Sequence, residues 1–408
     1  MKHVIIGSGA AGISAAKTLR EKSTQDEIII LSADEFVYSR CMLHQFISGE
    51  RQTEVLSFIP DDFLEKNNIE FRPNIAVTGI DTVNQMVKFD GGSESYDRLL
   101  IATGAKSAFP QIVGLRDTKN VYGLRDLEDA RAIRDKATQS NNIVIIGAGL
   151  VGLDAAYGLL EIGKTSTIIE MSNAILSTNL DLHAASTYHI KFEEAGCAFH
   201  LGMKVKRVLS NASGEIEAIV TDHDERIACD LLIVATGVHP TLDFLSDSGI
   251  KTNRGITVNE YLATSAPNVY AAGDVTGLSE SWPSAVQQGE IAALNMLGIE
   301  TAHPDTFLPK NTIHFFGVPS LSIGQFIPEA GDTKDSREDR MRYQKVILRD
   351  GIPVGVILQG DISRSGFWQQ LILNKVDVTS MPKSIWKVSF ADSYHIDENG
   401  EYYWTMSV

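Results

Sequence analysis

The chain has 408 residues, 43% of them hydrophobic and 22% charged, with a net charge of −16 and three cysteines. The composition is that of a soluble globular protein, and the acidic balance speaks against nucleic acid or an anionic membrane as the main partner, since both need a basic face. Three cysteines, Cys41, Cys197 and Cys229, cannot form a disulfide framework, none stands in a C-x-x-C pair, and a zinc or iron–sulfur site would need four close ligands; the cytoplasm is the natural compartment for such usage.

The first element is a buried strand, "KHVIIG" (residues 2–7), entered so early that no signal peptide is expected. It runs into "GSGAAG", then a helix, "ISAAKTLREK", and a second strand, "EIIILS" (27–32). This is a βαβ unit with G-x-G-x-x-G at its turn. Gly7 permits the tight turn, Gly9 lets a pyrophosphate approach the backbone, and Gly12 lets helix and strand pack closely. Ser8, Ala10 and Ala11 complete the loop. The acid that follows the second strand is Asp34 or Glu35, with Asp34 favoured. "FVYSRCMLHQFISGE" (36–50) comes next, carrying Arg40 and Cys41. "NIAVTGID" and "YDRLLIATG" (96–104) read as strands, the latter ending at Thr103 and Gly104.

The pattern then repeats. "IVIIGAGLVGLDAAYGLL" (143–160) is apolar enough to suggest a membrane span, but Asp154 and four glycines interrupt it. Strand, glycine turn and helix explain it better. Gly147, Gly149 and Gly152 form the second fingerprint around Leu150 and Val151. Glu170 ends the following strand; a carboxylate there accepts hydrogen bonds from a ribose diol and repels a 2′-phosphate, predicting NAD(H) over NADP(H). "CDLLIVATG" (229–237) repeats the earlier Ala-Thr-Gly strand and ends at Gly237. "NVYAAGDV" (268–275) ends in Gly273 and Asp274, and "SWPSAVQQGEIAALNMLG" (281–298) opens a helix. From about residue 306, "TIHFFG", "LSIGQF", "YQKVILRDGIPVGVILQG" and "SIWKVSF" read as strands, with Asp350-Gly351 as a hairpin turn, and "ISRSGFWQQLILNK" reads as a helix.

Two fingerprints, two Ala-Thr-Gly strands and a Gly-Asp strand together resemble the pyridine-nucleotide-dependent flavoprotein reductases, the two-dinucleotide-fold group that includes glutathione-reductase-like enzymes. The resemblance implies an α/β fold: two Rossmann-like dinucleotide-binding domains plus a small α+β C-terminal interface domain. An FAD-binding domain would cover 1–112 and resume over 241–305, with an NAD-binding domain inserted at 113–240 and the interface domain at 306–408. The first fingerprint would bind the FAD pyrophosphate, with Thr103 and Gly104 closing over the cofactor. Val77 would present its backbone to the adenine, and Asp274 would bond the ribityl chain with Gly273 allowing close approach. Arg40 would be a flavin-side or pyrophosphate contact; a surface ion pair is its plain alternative. The helix after Pro283 would aim its N-terminus at the flavin pyrimidine edge through Ala285, Val286 and the side chain of Gln288. The second fingerprint, with Gly237, would hold NADH. Asp154 stands where many relatives carry a glutamate reaching toward the nicotinamide, or it merely complements the helix N-terminus.

Cys41 divides two enzyme classes. Residues 45 and 46 are Gln and Phe, so the C-x-x-x-x-C dithiol of the disulfide reductases is absent. Cys41 and Gly49 have the spacing of the single-cysteine coenzyme A-disulfide reductases and NADH oxidases, where a helix N-terminus and Arg40 would lower the thiol pKa. The segment equally resembles the "Y-x-R-x-x-L" stretch of NADH:rubredoxin reductases and of the NADH-binding part of nitrite reductases, which uses no thiol. The reading favoured is the second: an FAD-dependent NADH:acceptor oxidoreductase passing electrons to a small redox protein or partner subunit, with homodimer contacts expected in the interface domain. A single-cysteine thiol reductase or oxidase is the alternative, and a non-catalytic flavin-binding subunit the third.

Overall fold

The computed structural model describes residues 1–278, 281–304, 308–340, 342–379, 384–387, 389, 392 and 394–404. They divide into two compact units, one comprising 1–147, 154–166 and 205–307, the other 148–153, 167–204 and 308–408.

In the first unit, the β-branched runs "KHVII" and "EIIIL" become neighbouring parallel strands, Lys2–Ile6 and Glu27–Leu31. The full sheet order is Val269–Ala271, Arg98–Ile101, Lys2–Ile6, Glu27–Leu31, Glu70–Arg72, all parallel. Because side chains alternate along a strand, Ile5, Ile28, Ile30 and Leu100 face one core, and Val4, Ile6, Ile29, Leu31, Leu99 and Ile101 face another. Each such side chain, fully buried, contributes about 1.5–3 kcal/mol. The helices Ala10–Lys22 and Trp282–Met296 cover the first face, and the second packs on a three-stranded antiparallel sheet through Ile80 and Val87. The two helices cross at backbone contact: a Cβ at Gly289 would lie 2.2 Å from the carbonyl oxygen of Ala11.

The same unit holds a second parallel set, Val121–Tyr122, Leu231–Val234 and Ile143–Ile146. The helix Leu127–Gln139 lies in the chain between Val121–Tyr122 and Ile143–Ile146, its N-terminus capped by the Asp126 side chain, which accepts the Asp129 N–H at 2.9 Å.

In the second unit, the strand Ser166–Glu170 pairs in parallel with Ala198–Leu201, and Asp181 caps the helix Leu182–Glu194. The C-terminal part is an antiparallel sheet in the order Lys310–Phe315, Val318–Gly324, Ile352–Gln359, Arg342–Arg349, Thr333–Asp339, with the helix Ser365–Leu373 packed on it. Asp350 and Gly351, with φ of 50° and 81°, make the expected hairpin turn, the paired positive φ of a type I′ loop. The expected strand at "SIWKVSF" does not form where it is described: residues 385–387 are a turn, and 388 and 390 lie outside the described residues. Among the described residues, no helix is long and apolar enough to cross a membrane.

Candidate active site

The first fingerprint sits where the parallel sheet delivers it. Gly7, with φ of 106°, follows the strand Lys2–Ile6, and a Cβ there would strike the Ala102 carbonyl oxygen at 2.3 Å. A Cβ on Gly12 would meet the Gly7 oxygen at 2.0 Å, so only glycine lets this helix approach its strand. Gly9 differs: nothing lies within 4 Å of an added Cβ, because its open side faces a cavity of about 320 Å³. The first amide N–H groups of the helix have no partner within it and carry its positive end.

The cavity brings together most of the expected cofactor residues. Gly7, Ser8, Gly9, Ala10, Ala11, Asp34, Arg40, Val77, Thr103, Gly104, Gly273, Asp274 and Ala285 all line it, as does Cys41. Such a glycine cradle, opening on a long-walled cavity with an acid at one end, fits a dinucleotide such as FAD. Gly12, Val286 and Gln288 do not line it. Gly12 packs helix on strand, and Val286 packs against the helical core. Gln288 is wholly buried; its carboxamide accepts from Gly273 N at 2.9 Å and Thr276 Oγ1 at 3.2 Å and donates to Ser284 Oγ at 3.0 Å. It holds the wall rather than forming its surface.

Sequence reading passed over several wall residues. Tyr38 donates its hydroxyl to Asp34 at 3.1 Å and accepts the N–H of Leu127 at 3.0 Å. Arg40 Nη2 donates to the other Asp34 oxygen at 2.7 Å, which orients the carboxylate from both sides. Arg125 pairs with Asp274 and donates Nε–H to the Ala105 carbonyl at 3.0 Å. Its only sequence signal was its place just ahead of a capped helix start. Trp282, edge-on to Phe58 at 4.7 Å, and Phe244 supply aromatic wall.

The surroundings of Cys41 differ from those that the single-cysteine alternative calls for. The residue opens onto the cavity from a short 3-10 turn, Arg40–Met42, yet its thiol is raised above the ordinary value, first by burial among protein atoms and then by the Asp154 carboxylate. The reason is geometric. Arg40 is turned to Asp34, and the helix that follows, Leu43–Ile47, is one turn long. Arg125 pulls the thiol down, but Asp274 beside it pushes the other way. Asp154 is itself raised to about 7 by burial. His44, 4.0 Å from Asp154 and passed over by the sequence reading, is lowered by burial and is neutral at pH 7. Cys197 and Cys229 are buried, and burial pushes the Cys229 thiol up to about 12. Among the described residues, no group of three or more His, Cys, Asp or Glu is placed to hold a metal ion.

The second fingerprint repeats the first. Gly147 has φ of 104°, and its Cβ would meet the Ala235 carbonyl oxygen at 2.3 Å, as Gly7 would meet Ala102. Gly149 is open, and so is Gly237, with φ of 101°. Leu150 begins the helix Leu150–Glu161, Val151 is exposed on it and Gly152 is buried. Glu170 accepts the N–H of Ala148 at 2.7 Å and of Ser172 at 2.8 Å, one on each carboxylate oxygen. That fixes the acid beside the turn while leaving lone pairs for a diol.

Two strand–glycine–helix turns, each followed by a fixed acid, define a protein with two dinucleotide-binding folds. The family description "Pyridine nucleotide-disulphide oxidoreductase" matches residues 1–289, and "Rubredoxin NAD+ reductase C-terminal domain" matches 309–376. The NADH-dependent phenylglyoxylate dehydrogenase subunit epsilon of Aromatoleum evansii is 33% identical over 395 residues, 93% of each chain. The nitrite reductase, NAD(P)H, of Bacillus subtilis is 28% identical over 93% of this chain, which spans only 48% of that relative's length. The solved NADH:rubredoxin oxidoreductase of Clostridium acetobutylicum superposes with a TM-score of 0.75 at 25% identity, covering 94% of this chain and 97% of that one. The chain belongs to the pyridine nucleotide-disulphide oxidoreductase family. It is an NADH-dependent flavoprotein oxidoreductase with FAD and NADH as cofactors.

Proposed function

We propose that the electrons leave for a small redox protein or a partner subunit, not for a disulfide. The observation that supports this is Cys41: the other two cysteines are buried, and its thiol is held protonated at neutral pH. A dithiol relay needs a second cysteine, and a single-cysteine enzyme needs a thiolate. Among similar proteins, one is named as a subunit of a larger dehydrogenase and another as acting on rubredoxin, which agrees with such an acceptor.

Bound FAD supplies two-electron chemistry toward NADH and one- or two-electron chemistry toward the acceptor. The chain's own residues do the positioning. The N–H groups after Gly9 would take the pyrophosphate, and Asp34, braced by Arg40 and Tyr38, would take the ribose diol. Asp274, held by Arg125, would bond the ribityl chain, and the helix from Trp282 would turn its N-terminus, through Ala285, toward the ring. The second fingerprint and Glu170 hold NADH in preference to NADPH. Domain limits at 112, 240 and 305 and a cytoplasmic location complete the reading.

The test uses purified, FAD-loaded protein. NADH should bleach the flavin anaerobically, and rubredoxin or a one-electron dye should restore the colour. A Cys41→Ser variant should do the same at close to the wild-type rate. Loss of all turnover in that variant would move the assignment to the thiol enzymes.

A further inference from the structure

A second cavity, of about 440 Å³, lies in the unit that carries the C-terminal sheet, and no residue lining it lines the nucleotide cavity. Sheet register builds its floor. The strands Thr333–Asp339 and Arg342–Arg349 pair antiparallel with Ser336 opposite Lys345. Paired residues point to one face and side chains alternate along each strand, so Lys334, Ser336, Tyr343 and Lys345 share that face. The start of the helix Leu182–Glu194 meets them there. Asp181 Oδ2 accepts from the Tyr343 hydroxyl and from Lys345 Nζ, each at 2.8 Å, and the His183 ring lies 4.3 Å from the Tyr343 ring. Leu182, 73% exposed, and Ile327, 57% exposed, supply apolar wall. Single exposed aliphatic residues are common on protein surfaces. What sets these two apart is that they flank the same cavity as a buried ammonium group.

The charges in the lining define what fits. Lys345, 5% exposed, donates to Asp181 and to the Phe326 carbonyl at 3.0 Å, which leaves one of its three N–H groups without an acceptor among the described residues. Burial pushes the Asp181 carboxyl up, but bonds from Ala184, Lys345 and Tyr343 outweigh it and hold the group below its ordinary value. Asp181 is therefore ionised and balances Lys345. Lys334 has no ion or hydrogen-bond partner among the described residues, and neither has the Ser336 hydroxyl. The helix adds its positive end, and its first turn carries no acid.

We propose that this cavity binds an organic monocarboxylate with an apolar body. The carboxylate would take Lys334, the open N–H of Lys345 and the Ser336 hydroxyl, and the hydrocarbon part would cover Leu182 and Ile327. One unbalanced ammonium suits a monoanion. A phosphate dianion would be left half compensated beside Asp181, and a neutral molecule would forgo the charge-assisted bonds.

The experiment is isothermal titration calorimetry on the full FAD-bound chain with 4-phenylbutyrate as the probe. Runs at about 15 and 30 °C keep a vanishing enthalpy from being read as no binding. The acid should bind one per chain with a Kd of about 1 mM or tighter. 4-Phenylbutanol, which lacks the charge, and acetate, which lacks the body, should each bind at least about tenfold more weakly. Lys334→Glu reverses the unbalanced charge, and Leu182→Asp removes apolar wall while placing an acid where a helix start favours one. Each should weaken 4-phenylbutyrate by at least about tenfold. Both positions are exposed, so both variants should keep the yellow colour and the wild-type melting temperature. Val83→Asp, at an exposed site in the other unit, should bind as wild type does. No heat at either temperature up to about 10 mM acid would overturn the proposal. So would an alcohol that binds as well as the acid, or folded Lys334 and Leu182 variants of unchanged affinity.

Discussion

Gln288, at 0% exposure, accepts the backbone N–H of Gly273 at 2.9 Å, so a buried carboxamide sets the position of the glycine in front of Asp274. Replacing it with leucine keeps the volume but leaves the Gly273 N–H and Thr276 hydroxyl without that acceptor. A buried donor left unmet costs about 1–3 kcal/mol. The Gln288→Leu protein should melt several degrees lower and lose FAD faster on dilution, as read by differential scanning calorimetry and flavin fluorescence.

Arg40 and Tyr38 brace Asp34 from two sides. A hydrogen bond to a charged group contributes about 1.5–3 kcal/mol. Arg40→Ala should therefore weaken FAD binding by about 10- to 100-fold, measured by titrating apoprotein with FAD. Unchanged affinity would reduce the Arg40–Asp34 pair to a surface ion pair.

The Cys41 thiol lies above its ordinary pKa. Its alkylation by iodoacetamide should be slow at pH 7 and should keep rising with pH beyond the point where a free cysteine levels off. A fast reaction at pH 7 would contradict the protonated thiol on which the acceptor assignment rests.

Asp154, raised to about 7 by burial, binds its proton more tightly folded than unfolded. Its contribution to stability is complete at low pH, below the unfolded carboxyl range, and is lost as pH rises from there through about 7. Asp154→Asn removes that term. The variant should gain on the order of 1–3 kcal/mol relative to wild type between pH 5 and pH 8, discounted for its partly open side chain. Urea midpoints at the two pH values measure it; an equal change in both proteins would refute it.

Glu170 presents its carboxylate beside the second glycine turn, fixed by Ala148 and Ser172. In the proposed role, Glu170→Ala would remove the diol acceptor and the repulsion of a 2′-phosphate. The ratio of kcat/KM for NADH over NADPH should fall by about tenfold or more.

The glycine turns were legible because their chemistry is local: Gly7 and Gly147 need positive φ, and the residues that forbid a Cβ lie one strand away. The parallel strands were legible for the same kind of reason, from short β-branched runs ending in glycine. What sequence could not supply was direction. Arg40 neighbours Cys41 in the chain, which suggested a lowered thiol pKa, but its guanidinium turns to Asp34. Arg125, far along the chain, is the cation that reaches the thiol. Gln288 faces inward for a similar reason: helical periodicity places it near the cofactor end, and only packing decides that it serves Gly273.

The nucleotide cavity is walled by Gly7 and Ala11 near the start of the chain and by Gly273 and Ala285 far downstream, with Val269–Ala271 completing the sheet beside Arg98–Ile101. A polypeptide still emerging from the ribosome cannot close that wall until residue 289 has cleared the exit tunnel and met Ala11. Capture of the prosthetic group is therefore a late event in biogenesis, and a product of premature termination inside the intervening segment would be colourless however much of its secondary structure had formed.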